Sequence, residues 1–225
     1  MPPTSVFRHV PRPRLVRTIG SPASLRLISV LSTNAHIKAF RLATLPPSYL
    51  LSYLDTSPPS AAASIGTATE LPPTPRSFTA NPRFLSVLNE TLREHAHRDD
   101  GLKSQALAFA ASGGSIFGAG TGSAATKGGS HQGGAGGGGL GGWVHLSDLR
   151  NPPDYGRIAW PEDILGSVEV DRTGGLLDSF QSSGTYRIVT NEGILGLSDF
   201  LREKLVERLR EVDKEDTADR PQVLE

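Results

Sequence analysis

An α+β fold, with a small antiparallel sheet of three to four strands packed by a C-terminal amphipathic helix, is the class this sequence predicts. Three observations point to it. From Trp143 onward, short apolar-polar alternations are separated by turn residues. At Ser198 the period changes from two to 3.6, and "DFLREKLVERLREVDKE" follows. Upstream, Gly and Pro gather in particular stretches of the 225 residues, which hold 25 Gly and 17 Pro. Such stretches bury little apolar surface against the entropy of ordering them. The folded part is therefore expected to span roughly 70 to 110 residues.

Taken in order, residues 1–54 read as a leader. They hold seven basic residues (Arg8, Arg12, Arg14, Arg17, Arg26, Lys38 and Arg41) and no Asp or Glu. Basic residues interleaved with Leu, Val and Ile, without an unbroken apolar core, suit a mitochondrial transit peptide better than a secretory signal. A disordered basic arm is the alternative. Removal is expected between about Arg41 and Pro59, leaving sixteen basic against 23 acidic residues beyond position 54. That balance argues against nucleic-acid binding. The expected destination is the mitochondrial matrix, with the cytoplasm as alternative. No apolar run of about 18 residues exists for a membrane-spanning helix. The absence of cysteine excludes disulfides, thiolate metal sites and a cysteine nucleophile.

Residues 55–80 are rich in Pro, Ser, Thr and Ala and read as a linker. A helical hairpin is expected over 81–112. Asn81 caps its first helix, Pro82 takes the first helical position, and Phe84, Leu85, Leu88 and Leu92 share a face. Asp100 would cap the second helix and Gly113 would stop it. Residues 113–142 contain 15 glycines and read as a tether of roughly 30 Å r.m.s. span. Within it, "GAGTGSAATKGGS" lacks the strand before and the helix after that a nucleotide loop requires.

The module over 143–213 is expected to hold strands at "WVHLSD", "DILGSVEVD" and "GTYRIVT", a tight turn at Asn191-Glu192-Gly193, and a helix capped by Ser198. Leu201, Leu205, Val206, Leu209 and Val212 form the helix's apolar stripe. Residues 214–225 read as a disordered tail.

Candidate chemistry is sparse. Glu94-His95-Ala96-His97 offers one Glu-x-x-His, and no second helix supplies the matching set, so no metal or other cofactor is expected. His145 has no evident acid partner, and no nucleophile motif is present. The densest stretch is "SDLRNPPDYGRIAWPEDILGSVEVD". Trp160 and Tyr155 bring large apolar area, while Arg150 and Arg157 bring forked donors on a proline-stiffened loop. Three readings stay open. Trp160 plugs the core while Arg157 pairs with Glu162 or Asp163; or the loop docks on a protein partner; or Asp154, Arg157, Glu162 and Arg187 surround a small ligand. No catalytic residue is assigned. The weak binding set is Tyr155, Arg157, Trp160, Glu162, Asp163 and Arg187.

The words "GGWVHLSDLRNPPDYGRIAWPEDILGSVEVD" and "GTYRIVTNEGILGLSDFLREKLVERL", with "NPRFLSVLNETLREH" before them, resemble a family of uncharacterised fungal proteins with plant relatives. Its members carry a leader and a Gly-rich linker ahead of this module. The resemblance covers about half the chain and implies one unit with an organelle destination. It implies no activity or cofactor. The expected role is a non-catalytic mitochondrial protein that docks on a larger protein assembly through the Trp160 loop and the final helix. The alternative is a small-ligand-binding protein or enzyme with a polar site around Asp154–Asp163.

Overall fold

A computed structural model describes residues 26–43, 47–56, 60–111, 141–154 and 157–219. The chain is α+β, with antiparallel sheets and three α-helices among the described residues. Its first element is one the composition concealed. Strands β1 (Arg26–Leu31), β2 (Asn34–Leu42), β3 (Ser48–Ser52), β4 (Gly66–Ala68) and β5 (Phe78–Ala80) form a five-stranded meander in sequence order. The expectation that 1–54 lacks fixed structure is thereby corrected for the described residues from Arg26 onward. In β2 the side chains of Ile37, Ala39 and Phe40 are buried while Arg41 is exposed. Lys38, facing away from Ile37 and Ala39, pairs with Asp55. Basic residues interleaved with apolar ones serve a half-buried strand as well as they serve a leader.

The linker reading of 55–80 is corrected too, because its small polar residues make turns. Ser64 Oγ donates to the Ala61 carbonyl at 2.7 Å, and Thr74 N donates to Ser77 Oγ at 2.8 Å. Asn81 closes the segment. Its Oδ1 accepts from Arg83 N at 3.0 Å and caps α1 (Pro82–His95) as expected. Its Nδ2 reaches back to the carbonyls of Ala61, Ala62 and Ser64 at 3.0, 3.2 and 2.7 Å.

After a 3₁₀ turn at Ala96–Arg98 comes α2 (Asp100–Ala111). Its cap is Asp99 rather than Asp100. Asp99 Oδ1 accepts from Leu102 N at 3.0 Å, and its Oδ2 accepts from Ser198 Oγ at 2.5 Å. Ser198 in turn caps α3 (Asp199–Asp219), accepting from Leu201 N at 3.3 Å. Two helix caps are therefore bonded to each other across 99 positions of sequence. The helix α3 extends six residues past the expected end of the module at 213, and Asp216 accepts from Ser60 Oγ at 2.8 Å.

The remaining strands are β6 (Gly142–Ser147), β7 (Ile164–Val170) and β8 (Gln181–Ser182), which form one antiparallel sheet, and the hairpin of β9 (Val189–Thr190) with β10 (Gly193–Ile194). The turn at Asn191-Glu192 falls where expected, with Gly193 at φ 128°. "GTYRIVT" keeps only two strand residues, Val189 and Thr190.

One core unites all of this. Ile37, Leu51 and Ile65 of the meander lie in a single cluster with Phe84 and Leu88 of α1, Leu102 of α2, Val168 of β7 and Leu201, Leu205 and Leu209 of α3. The two-island picture with a spanning tether is corrected accordingly. Residues 112–140 lie outside the described set, but their flanks meet. The Phe109 ring lies so close over Gly142 that a methyl built there would sit 2.5 Å from Cζ. Because its ends are already held together, the intervening stretch sets no distance in the fold. Replacing residues 112–140 by a short Gly/Ser linker should leave the thermal midpoint unchanged or slightly raised in a circular dichroism melt. A large fall would show that the stretch contributes to the core.

Candidate docking site

The site grows out of strand parity. Along β6, Val144 and Leu146 point inward, while Trp143 is exposed and His145 and Ser147 are half-buried. Continuing that alternation past the strand end sends Asp148 and Arg150 inward and Leu149 outward. Side-chain exposure is 0% for Asp148 and 3% for Arg150, while Leu149 is 54% exposed.

A buried guanidinium needs partners for its donors. Arg150 Nε donates to Asp163 Oδ1 at 2.7 Å, and Nη1 donates to the Ile188 carbonyl at 2.8 Å. Nη2 donates to the carbonyls of Glu162 at 2.9 Å and Arg187 at 2.8 Å. The group also lies 5.4 Å from the centre of the Tyr186 ring. Asp148 completes the node: Oδ1 accepts from Arg150 N at 2.9 Å and Gly196 N at 2.8 Å, and Oδ2 accepts from Tyr186 Oη at 2.8 Å. Burial raises the Asp148 pKa, against the lowering effect of Arg150. Burial, and then the Asp148 carboxylate, also raise the pKa values of the Tyr53 and Tyr186 hydroxyls. Tyr53 Oη is buried and makes no hydrogen bond of good geometry, although the Asn34 side chain, whose amide donates to the Leu195 carbonyl at 2.8 Å, lies near enough to lower its pKa slightly against burial.

This network takes up backbone ahead of β9. The Arg187 and Ile188 carbonyls accept from Arg150, and Arg187 N donates to the Glu162 carbonyl at 3.1 Å, while the Ile188 carbonyl also accepts from Leu195 N at 2.8 Å and so carries the β9–β10 pairing one bond further. It also fixes both ends of the loop between β6 and the 3₁₀ turn Pro161–Asp163, because Asp148 N donates to the Asp163 carbonyl at 2.8 Å.

Between those anchors the loop presents apolar surface. Trp160 is 71% exposed and Ile158 54%, with Pro152, Pro153 and Asp154 exposed beside them. The reading of Trp160 as a core plug is corrected. So is its companion ion pair: Arg150 takes Asp163, and Arg157 instead lies 3.7 Å from Asp154 at the surface. Of the expected binding residues, Arg157, Trp160, Glu162 and Arg187 are exposed, and Asp163 is buried as a strut. Tyr155 lies outside the described residues. Arg150, Asp148 and Tyr186 were missed as a unit, although the parity of β6 extended by two steps would have found the first two.

Other polar clusters are less developed. Among the described residues no group of three His, Cys, Asp or Glu side chains could hold a metal ion. Glu94 and His95 lie 3.8 Å apart, and the His95 ring stands edge-on to Phe200 with Nδ1 buried and unpartnered. They border a groove of about 590 Å³ between α1 and α3, lined by four glutamates together with Thr91, His95, Lys204 and Arg208. His145 Nδ1 lies 2.8 Å from Ser167 Oγ, but among the described residues no carboxylate bonds that imidazole.

Compared with known proteins, the chain matches no family model, no curated protein and no solved structure.

Two outcomes follow from this geometry. Arg150→Met should destabilise by about 3–5 kcal/mol in urea unfolding, because Asp148 and Asp163 stay buried without their cation. Arg150→Lys should recover little, lacking the fork that reaches three carbonyls. Burial lowers the His95 and His145 pKa values from 6.5. The unfolded chain then takes up protons first, so both groups lose stability as pH falls through about 6.5. Unfolding free energies at about pH 7.5 and 5.5 should differ less in a His95→Gln, His145→Gln double variant than in the parent. Asp148, with its raised pKa, acts in the opposite sense, but it is common to both proteins. An unchanged difference would remove the histidines from the account.

Proposed function

We propose that this chain is a non-catalytic interaction protein of mitochondria that docks on a larger protein assembly through the Leu149–Trp160 loop. The observation that carries the reading is Trp160, 71% exposed on a loop anchored by a buried arginine. A large aromatic held in place loses little entropy on docking, and tryptophan and arginine dominate interface energetics. Leu149 and Ile158, each 54% exposed on the same loop, add apolar area, and the exposed Arg157 adds a forked donor. The final helix drops out of the docking surface, since Leu201, Leu205, Leu209 and Val212 are spent on the core.

The polar-site alternative around Asp154–Asp163 is weaker on the same grounds. Asp163 already serves Arg150, and Arg157 faces solvent with Asp154. The mitochondrial part of the proposal rests on the acid-free, arginine-bearing N-terminal segment and on the resemblance to an organelle-directed family.

The test is affinity purification of C-terminally tagged chain from isolated mitochondria, with Trp160→Ala alongside. The variant should lose its co-purifying partner, at a cost of about 2 kcal/mol or more in binding. Its thermal midpoint should hardly move, as a surface substitution changes stability by about 0.5 kcal/mol or less. Equal recovery of partner by parent and variant would shift the docking surface elsewhere.

A further inference from the structure

We propose that the leader removed on import ends ahead of Arg26, and that residues 26–54 stay as the first three strands of the mature protein. This rests on the mitochondrial reading above and replaces the cut expected from composition, between Arg41 and Pro59.

A processing protease meets the chain before it folds, so the sheet gives a downstream position no protection. A chain cut within 41–59 could not, however, rebuild this core. It would lose β1 and nearly all of β2, and with them the partners of β3: Lys38 opposite Ser52, Ala39 opposite Leu51 and Phe40 opposite Leu50. Ile37 and Ala39, both at 0% exposure, and Phe40 at 2% would leave the core. Ile65 and Leu195 would lose core neighbours, and a cut ahead of Ser48 would leave β3 as an edge strand paired only with β4, while a later cut would remove β3 as well. The Leu195 carbonyl would lose the Asn34 amide.

Four of the seven basic residues of the acid-free stretch 1–54 lie ahead of Arg26. Ahead of Arg26 stand Arg8, Arg12, Arg14 and Arg17 with no acid, the features that import of a basic segment requires. Within the sheet, Lys38 already has a folded task opposite Asp55. A chain starting near Arg26 would carry 19 basic against 23 acidic residues and remain acidic.

The experiment uses the full chain with a C-terminal tag, expressed in a eukaryotic cell, with the N-terminus of the tagged protein read by mass spectrometry. An imported protein shortened at its N-terminus and beginning at or before Arg26 is the expected result. An imported protein beginning between Ser32 and Pro59 overturns this proposal and leaves import standing. Imported but uncut chain also overturns it. Cytosolic chain retaining Met1 overturns the import reading and this one together. Trypsin treatment of the purified full chain supplies an independent measure. Cleavage after Arg8, Arg14 and Arg17 should run at least about tenfold faster than cleavage after Lys38 or Arg41, which need the sheet to open. Equal rates would overturn the retention of 26–54.

Discussion

The buried guanidinium of Arg150 is the constraint from which much of the C-terminal half follows. A charge taken out of water is tolerated only where its donors are met, and meeting them recruits three separate pieces of backbone. The turn at Pro161–Asp163, the segment 187–188 and the end of β6 are held together by one side chain. The same requirement buries Asp163 and puts Tyr186 beneath the charge with its hydroxyl on Asp148. The loop bearing Trp160 is thus pinned from inside while its outer residues face water. What the loop offers to a partner is a consequence of what Arg150 does in the interior.

The N-terminal meander and the C-terminal module are joined by comparable long-range bonds. Asn34 reaches Leu195, Ser60 reaches Asp216, and Asp99 reaches Ser198. Each joins a turn or cap in one half to an element in the other, so polar groups that would otherwise need water at a helix end or turn are satisfied within the protein. The apolar cluster beneath them is continuous from Leu31 to Val212. The chain is a single cooperative unit by this measure, and removing either half would expose the inner surface of the other.

How much of this was legible in the sequence depended on whether local pattern and tertiary use agreed. Helix α1 and its Asn81 cap, helix α3 with its leucine stripe, and β6 and β7 were readable because period, cap and burial all pointed one way. Strand β2 was not, since apolar residues interleaved with Lys38 and Arg41 satisfy two descriptions and only pairing with β3 separates them. The turns of 60–80 were hidden by composition, because Ser, Thr and Pro serve ordered turns and unstructured linkers alike. Asp99 was overlooked in favour of Asp100 because two adjacent acids qualify as caps, and Ser198 selects between them from far along the chain. For the site, the aromatic and the loop were visible. The identity of the buried arginine was not, as Arg157 stood nearer to the two acids in sequence and Arg150 nearer in space.

The contact of the Phe109 ring with Gly142 gives the molecule a natural port. Where a chain leaves and re-enters a fold at one spot, the material between can be exchanged without altering any angle or spacing elsewhere. A fluorescent or affinity domain spliced into that stretch would ride on an intact body, with both chain ends left free for import and capture.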